Sequence, residues 1–184
     1  MKLVFDNPGK IESLEIMLAT KAYEDIWRQD HKKILELFKK YTGLQFQQDE
    51  IHVIVHDGQS MSGMDGKPMR LNWHNRPLVE KRNALVHELA HRLLFGNGLY
   101  APESEGPDGD EIRVFLFQGD VLMDLYGEEV YSFWANSDPA TQTEDHIRII
   151  NSVIHLSKKR RRGKIKQFVA SGSNSDLQAT KKLE

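Results

Sequence analysis

The chain has no cysteine. That removes disulfide scaffolds, cysteine-ligated zinc fingers, iron–sulfur clusters and thiol nucleophiles together, because each needs a sulfur atom. A metal site here must use histidine and carboxylate. No run of about 18 apolar residues occurs, so no membrane-spanning helix and no membrane partner are expected. The opening Met1-Lys2-Leu3-Val4-Phe5-Asp6 reaches an acid before a secretory apolar stretch could form, and the expectation is a soluble, cytoplasmic protein. With 13 Gly and 6 Pro in 184 residues, the composition is that of one ordinary globular domain.

The net charge of −2 conceals an asymmetry. Residues 1–157 carry 16 Lys and Arg against 25 Asp and Glu, a balance of −9, whereas residues 158–184 carry 9 against 2, a balance of +7. Seven of the nine cations lie in Lys158-Lys159-Arg160-Arg161-Arg162-Gly163-Lys164-Ile165-Lys166, a run able to attract phosphate backbones. Followed by Ser171-Gly172-Ser173-Asn174-Ser175, it predicts a folded body over 1–157 and a solvated, disordered basic tail over 158–184. Any nucleic-acid contact is expected through 158–166 alone.

Hydrophobic periodicity orders the elements. Lys2–Phe5 reads as a short strand ended by Asn7-Pro8-Gly9. Apolar residues at helical spacing from Ile11 to Tyr41 predict one long helix, or two broken near Gln29-Asp30, with Thr42-Gly43 as the stop. Ile51–His56 and Met69–Trp73 read as strands. Pro77 precedes a helix over Leu78–Phe95 that Gly96 closes. Breakers make 97–109 a loop, and further helices are expected over Asp110–Tyr126 and Thr143–Lys158. This order predicts an α+β domain with helices packed around a small sheet.

The chemistry sits in His87-Glu88-Leu89-Ala90-His91. Two histidines four apart on a helix share a face, so their imidazoles can converge on one ion, and Glu88 lies beside them where a carboxylate can take a proton from water. The flanking Ala84, Leu85, Val86, Leu89, Ala90, Leu93 and Leu94 would bury these polar groups, a cost that a metal explains. None of His31, His52, His56 and His74 has a partner at metal-ligand spacing, and Trp27, Trp73 and Trp134 are scattered.

A tetrahedral catalytic site takes a third protein ligand and keeps the fourth position for water. The metzincin pattern would require His at 97 after Gly at 94, but those positions hold Asn97 and Leu94. A glutamate from the following helix is the other common solution. Glu111 is the preferred third ligand, with Asp110, Asp120 and Asp124 as competitors; Asp120 and Asp124 share a helical face and could instead accept from the histidine N–H groups.

His87-Glu88-Leu89-Ala90-His91-Arg92-Leu93-Leu94, followed by a loop and Asp110–Met123, resembles the ImmA/IrrE metallopeptidases over about residues 50–125. In that family a glutamate ligand opens a helix of the form Glu-x-x-Ala-Asn-x-Phe-Ala-x-x-Leu-Leu-Met-Pro. Glu111 matches the ligand, Phe117 the Phe and Val121-Leu122-Met123 the apolar triplet; Val114-Phe115 replaces Ala-Asn, and Asp124 replaces the Pro. The resemblance implies a gluzincin-like zincin fold, with a small mixed or antiparallel sheet against an active-site helix. It also implies zinc-dependent hydrolysis of a peptide bond in a specific regulatory protein. Zinc on His87, His91 and Glu111 would activate water, and Glu88 would accept its proton. Tyr100, Tyr126, Tyr131, His146 and His155 are candidate donors to the oxyanion. By analogy with zincins, Met69–Trp73 would be the edge that pairs with an extended substrate, and 97–109 a lid. Two rival readings are a zinc-bound regulatory protein with little hydrolysis and a metal-free helical interaction domain.

Overall fold

Chain order runs β1 (Lys2–Phe5), α1 (Leu14–Thr42), β2 (Glu50–His56), β3 (Met69–Asn72), then α2 (Leu78–Gly96), α3 (Gly109–Tyr126), α4 (Glu128–Ala135), α5 (Glu144–Ile154) and α6 (Lys158–Thr180). The computed structural model describes residues 1–6, 13–63, 66–74, 77–101, 105, 108–136 and 144–180, side chains excepted at 144–146 and 173–180. The expected turn at Asn7-Pro8-Gly9 and five of the thirteen residues of the expected lid, 102–104 and 106–107, lie outside the described residues. Among the described residues no helix is long and apolar enough to cross a membrane.

α1 is one helix, not two. Ser13 caps it, its Oγ accepting from the Ile16 N–H at 3.3 Å, and Gly43 closes it with φ 80°. The suspected break at Asp30 falls on the inward stripe between Trp27 and Ile34, and there the Tyr126 hydroxyl donates to Asp30 Oδ2 at 2.9 Å. A half-buried polar residue with a hydrogen-bond partner can stay in a helix that its neighbours hold in place.

The sheet corrects the expectation of a mixed or antiparallel arrangement. Its order is β1-β2-β3 and both pairs are parallel. An antiparallel pair needs only a tight turn, whereas parallel neighbours need a crossover of a dozen or so residues. α1 supplies the first crossover, and the twelve residues 57–68 supply the second, with no helix among the described ones. The alternation of β2, with Ile51, Val53 and Val55 buried and His52 exposed, reports only that one face is covered, so it carries no information on strand direction.

α2 and α3 form the centre. Leu85, Val86, Leu89, Ala90, Leu93 and Leu94 of α2 are buried, as are Val114, Phe115, Phe117, Val121 and Leu122 of α3. α3 packs against α1, α2, α4, α5 and α6. It approaches α4 through Gly119, where a Cβ would collide with the ring of buried Trp134. α4 is short and leaves no periodic mark in the sequence, since eight residues give barely two turns of pattern.

The basic segment departs from the expected disorder: α6 is a helix from its first residue, Lys158. Ile165 is fully buried, and the buried Arg161 guanidinium grips Asp120 of α3 with Nη2 to Oδ1 at 2.6 Å and Nε to Oδ2 at 3.3 Å. Lys158 reaches Asp124 Oδ1 at 3.3 Å, and the Lys158 ammonium and Arg162 guanidinium lie over the Tyr41 ring. Acid on α3 thus neutralises part of the charge that made the segment look unable to dock.

Candidate metal centre

α2 carries His87, Glu88 and His91 in its third and fourth turns, and the first turn of α3 delivers Glu111 across from them. The His87 and His91 ring centroids are 4.7 Å apart and nearly perpendicular, at 79°. Their Nε2 atoms are 3.2 Å apart. Glu111 Oε1 lies 3.0 Å from His91 Nε2, and Oε2 lies 3.4 Å from His87 Nε2. One ligand atom from each residue falls within 4.8 Å of the others, so His87, His91 and Glu111 make a group that could hold a metal ion.

The donor set fits a small divalent ion on geometry and on chemistry. An ion with tetrahedral bonds of about 2.0 to 2.1 Å separates its donors by roughly 3.3 Å, and the three observed separations bracket that value. The chemistry follows from the partners of His87. Its Nδ1 lies 3.0 Å from Gln118 Oε1, while Gln118 Nε2 donates to Asn83 Oδ1 at 2.8 Å. With the amide nitrogen spent on Asn83, Gln118 presents its oxygen to His87, so the imidazole proton resides on Nδ1. Nε2 of His87 is left with a lone pair aimed at His91 and Glu111. This is the outer-shell arrangement that orients metal-binding histidines. His91 Nδ1 is buried without a hydrogen-bond partner among the described residues.

Electrostatics reinforce the cluster. Glu88 is 5% exposed. Burial pushes its carboxyl up to about 8; the nearby His91 opposes the rise and Glu111 adds to it. Positive charge beside Glu88, such as that of His91, therefore favours its ionised form. Burial pulls His91 down, but the hydrogen bond and charge of Glu111 outweigh it and raise the imidazole above its usual range. Phe115 lies against His87 with centroids 5.6 Å apart, and Phe95 stacks on His91 at 5.4 Å, so apolar rings shield the imidazoles.

The competing carboxylates are engaged elsewhere. Asp110 Oδ1 accepts from the Ala101 N–H at 2.6 Å, fixing the entry into α3. Asp120 holds Arg161, and Asp124 accepts from Lys40 and Tyr41, both at 2.7 Å, so neither serves the histidine N–H groups. Gln118 does that work for His87. No charge signals it in the sequence; its only mark is a place seven residues after Glu111, two turns along the same face.

Of the candidate oxyanion donors, the Tyr126 hydroxyl is committed to Asp30, and His155, just past the end of α5, bonds Asn151 O of that helix at 2.9 Å. Tyr131 packs on Trp134. The His146 side chain lies outside the described residues. Tyr100 is half exposed and stacks on Phe95 at 5.1 Å and 12°, continuing the ring series from His91 to the surface. The outer edge of β3 is occupied. Arg70 exchanges backbone hydrogen bonds of 2.9 and 2.8 Å with Met61, and the Asn72 N–H is taken by Ser60 Oγ at 3.1 Å. Buried Arg92 of α2 pins that segment through the carbonyls of Ser62, Gly63 and Lys67. Free strand edge for an extended substrate, expected at Met69–Trp73, is therefore absent over Arg70–Asn72.

Comparison with protein-family models, with curated proteins and with solved structures finds no match.

Proposed function

We propose that the chain is a zinc-dependent metallopeptidase of the zincin type, cleaving a peptide bond in a specific protein partner. The observation that carries this reading is the convergence of His87 Nε2, His91 Nε2 and a Glu111 carboxylate oxygen at tetrahedral donor separations, with buried Glu88 beside them. His87, His91 and Glu111 would hold the ion. Zinc in such a site supplies Lewis acidity, bringing the pKa of water to about 7 and polarising a peptide carbonyl. Glu88 takes a proton from the attacking water on a carboxylate oxygen and returns it to the leaving amide nitrogen. Gln118 Oε1 accepts from His87 Nδ1–H and keeps Nε2 free of a proton. Phe95 and Phe115 exclude water from the flanks of the two rings.

Occupation of the β3 edge by Ser60 and Met61 favours a second reading, a metal-holding regulatory protein that hydrolyses little. Glu88→Gln separates the two. Zinc-loaded wild type and Glu88→Gln are incubated with a proteome-derived peptide library, and new termini are read by mass spectrometry. The peptidase reading expects termini with wild type and a loss of about 10²- to 10⁴-fold in the variant, zinc content unchanged. No new termini with wild type, or equal cleavage by both, favours the second reading.

A further inference from the structure

α6 turns Arg161, Ile165 and Phe168 toward the body and leaves a basic face on its other side. Lys158, Lys159, Arg162, Gly163 and Lys166 line a shallow groove of about 500 Å³. They occupy helix positions i, i+1, i+4, i+5 and i+8, so the groove follows a single face. Lys158 is held by Asp124, but Lys159, Arg160, Arg162, Lys164 and Lys166 have no carboxylate partner among the described residues. Gly163 has nothing within 4 Å of where a Cβ would stand, so the middle of the groove is open. With an acidic excess over 1–157, this face is where positive charge concentrates.

We propose that this face of α6 binds the phosphate backbone of nucleic acid without reading sequence. Lys159 to Lys166 spans about 10 Å of helix axis. One strand of duplex DNA presents a phosphate about every 3.4 Å of its axis, so the row covers roughly three. Arginine and lysine at these positions supply forked and point-charge donors for phosphate oxygens. An acidic peptide fits the face less well. A protein interface is anchored by large apolar or aromatic residues, and none lines this groove, whose walls are the methylene stems of four cationic side chains and one glycine, with the charged heads at the rim. The nearby aromatic, Tyr41, is buried beneath Lys158 and Arg162 and has no face left for a base.

The test is fluorescence anisotropy of the full chain with a labelled duplex of arbitrary sequence, across a salt series, and with polyglutamate as a second probe. Lys159→Glu/Lys166→Glu is compared with Lys67→Glu/Arg70→Glu, which changes net charge equally but lies outside α6; circular dichroism verifies folding. The proposal expects a Kd of order 10⁻⁵ M at physiological salt, tightening as salt is lowered, and a slope of log K on log salt of about −3. The α6 pair weakens binding at least about tenfold and flattens the slope, the other pair changes little, and polyglutamate binds more weakly than the duplex. No duplex binding, equal loss in both pairs, or polyglutamate binding as tightly as the duplex overturns it.

Discussion

Gln118 spends its two polar atoms on two partners, and that division fixes the tautomer of His87. Gln118→Leu keeps the volume but removes the acceptor, so His87 is free to move its proton to Nε2 and lose the ligand lone pair. Zinc affinity should fall about 10- to 100-fold, measured by competition with a chromophoric chelator. An unchanged affinity would mean that the amide merely fills space. At this scale the sequence was legible where the signal is local and charged. His87, Glu88 and His91 declare themselves by spacing on one helix, and Glu111 by its place at the start of the next. Gln118 and Asn83 are neutral amides with no such mark, whereas Asp120 and Asp124, which looked suited to the role, are claimed by cations of α1 and α6.

Helices set the site by how closely they approach. Gly119 lets α3 meet the indole of Trp134 on α4, and Trp134 in turn packs edge-on against Phe115, which flanks His87. Gly119→Val should force the helices apart at a cost of about 1 to 3 kcal/mol, read as a lower urea midpoint. A variant as stable as wild type would show that α4 is free to shift. Asp124 ties α3 to α1 and α6. Burial raises its carboxyl, but hydrogen bonds from Lys40, Tyr41 and Lys158 prevail and hold it well below the ordinary value of 3.8. A depressed carboxylate contributes stability above its unfolded pKa and loses it as pH falls through the folded one. Urea stability of wild type should therefore decline below pH 4 more steeply than that of Asp124→Asn; parallel declines would contradict this. Long periodic elements such as α1, α2 and α3 were readable to within a few residues. α4 was too short to show a period, and α6 was hidden because its cations find their partners on an element 34 to 41 residues earlier.

Across the whole molecule, the layout places two central helices so that one contributes the paired histidines and the other the carboxylate. The small parallel sheet packs on α1 and α2, and α6 braces α3 and α1. Strand direction was not legible because alternation reports burial on one face and not the path of the chain between strands. The helical core was legible because apolar stripes on α2 and α3 point each helix toward the other. The account rests on a bound metal, and the most direct measurement is zinc stoichiometry by elemental mass spectrometry on protein purified without a metal-affinity column. Wild type is compared with His91→Ala and Glu111→Ala. The account predicts about one zinc per chain in wild type and loss of it in both variants, because a structural ligand set rarely survives removal of a member. No bound metal in wild type, and no uptake from micromolar zinc, would contradict it.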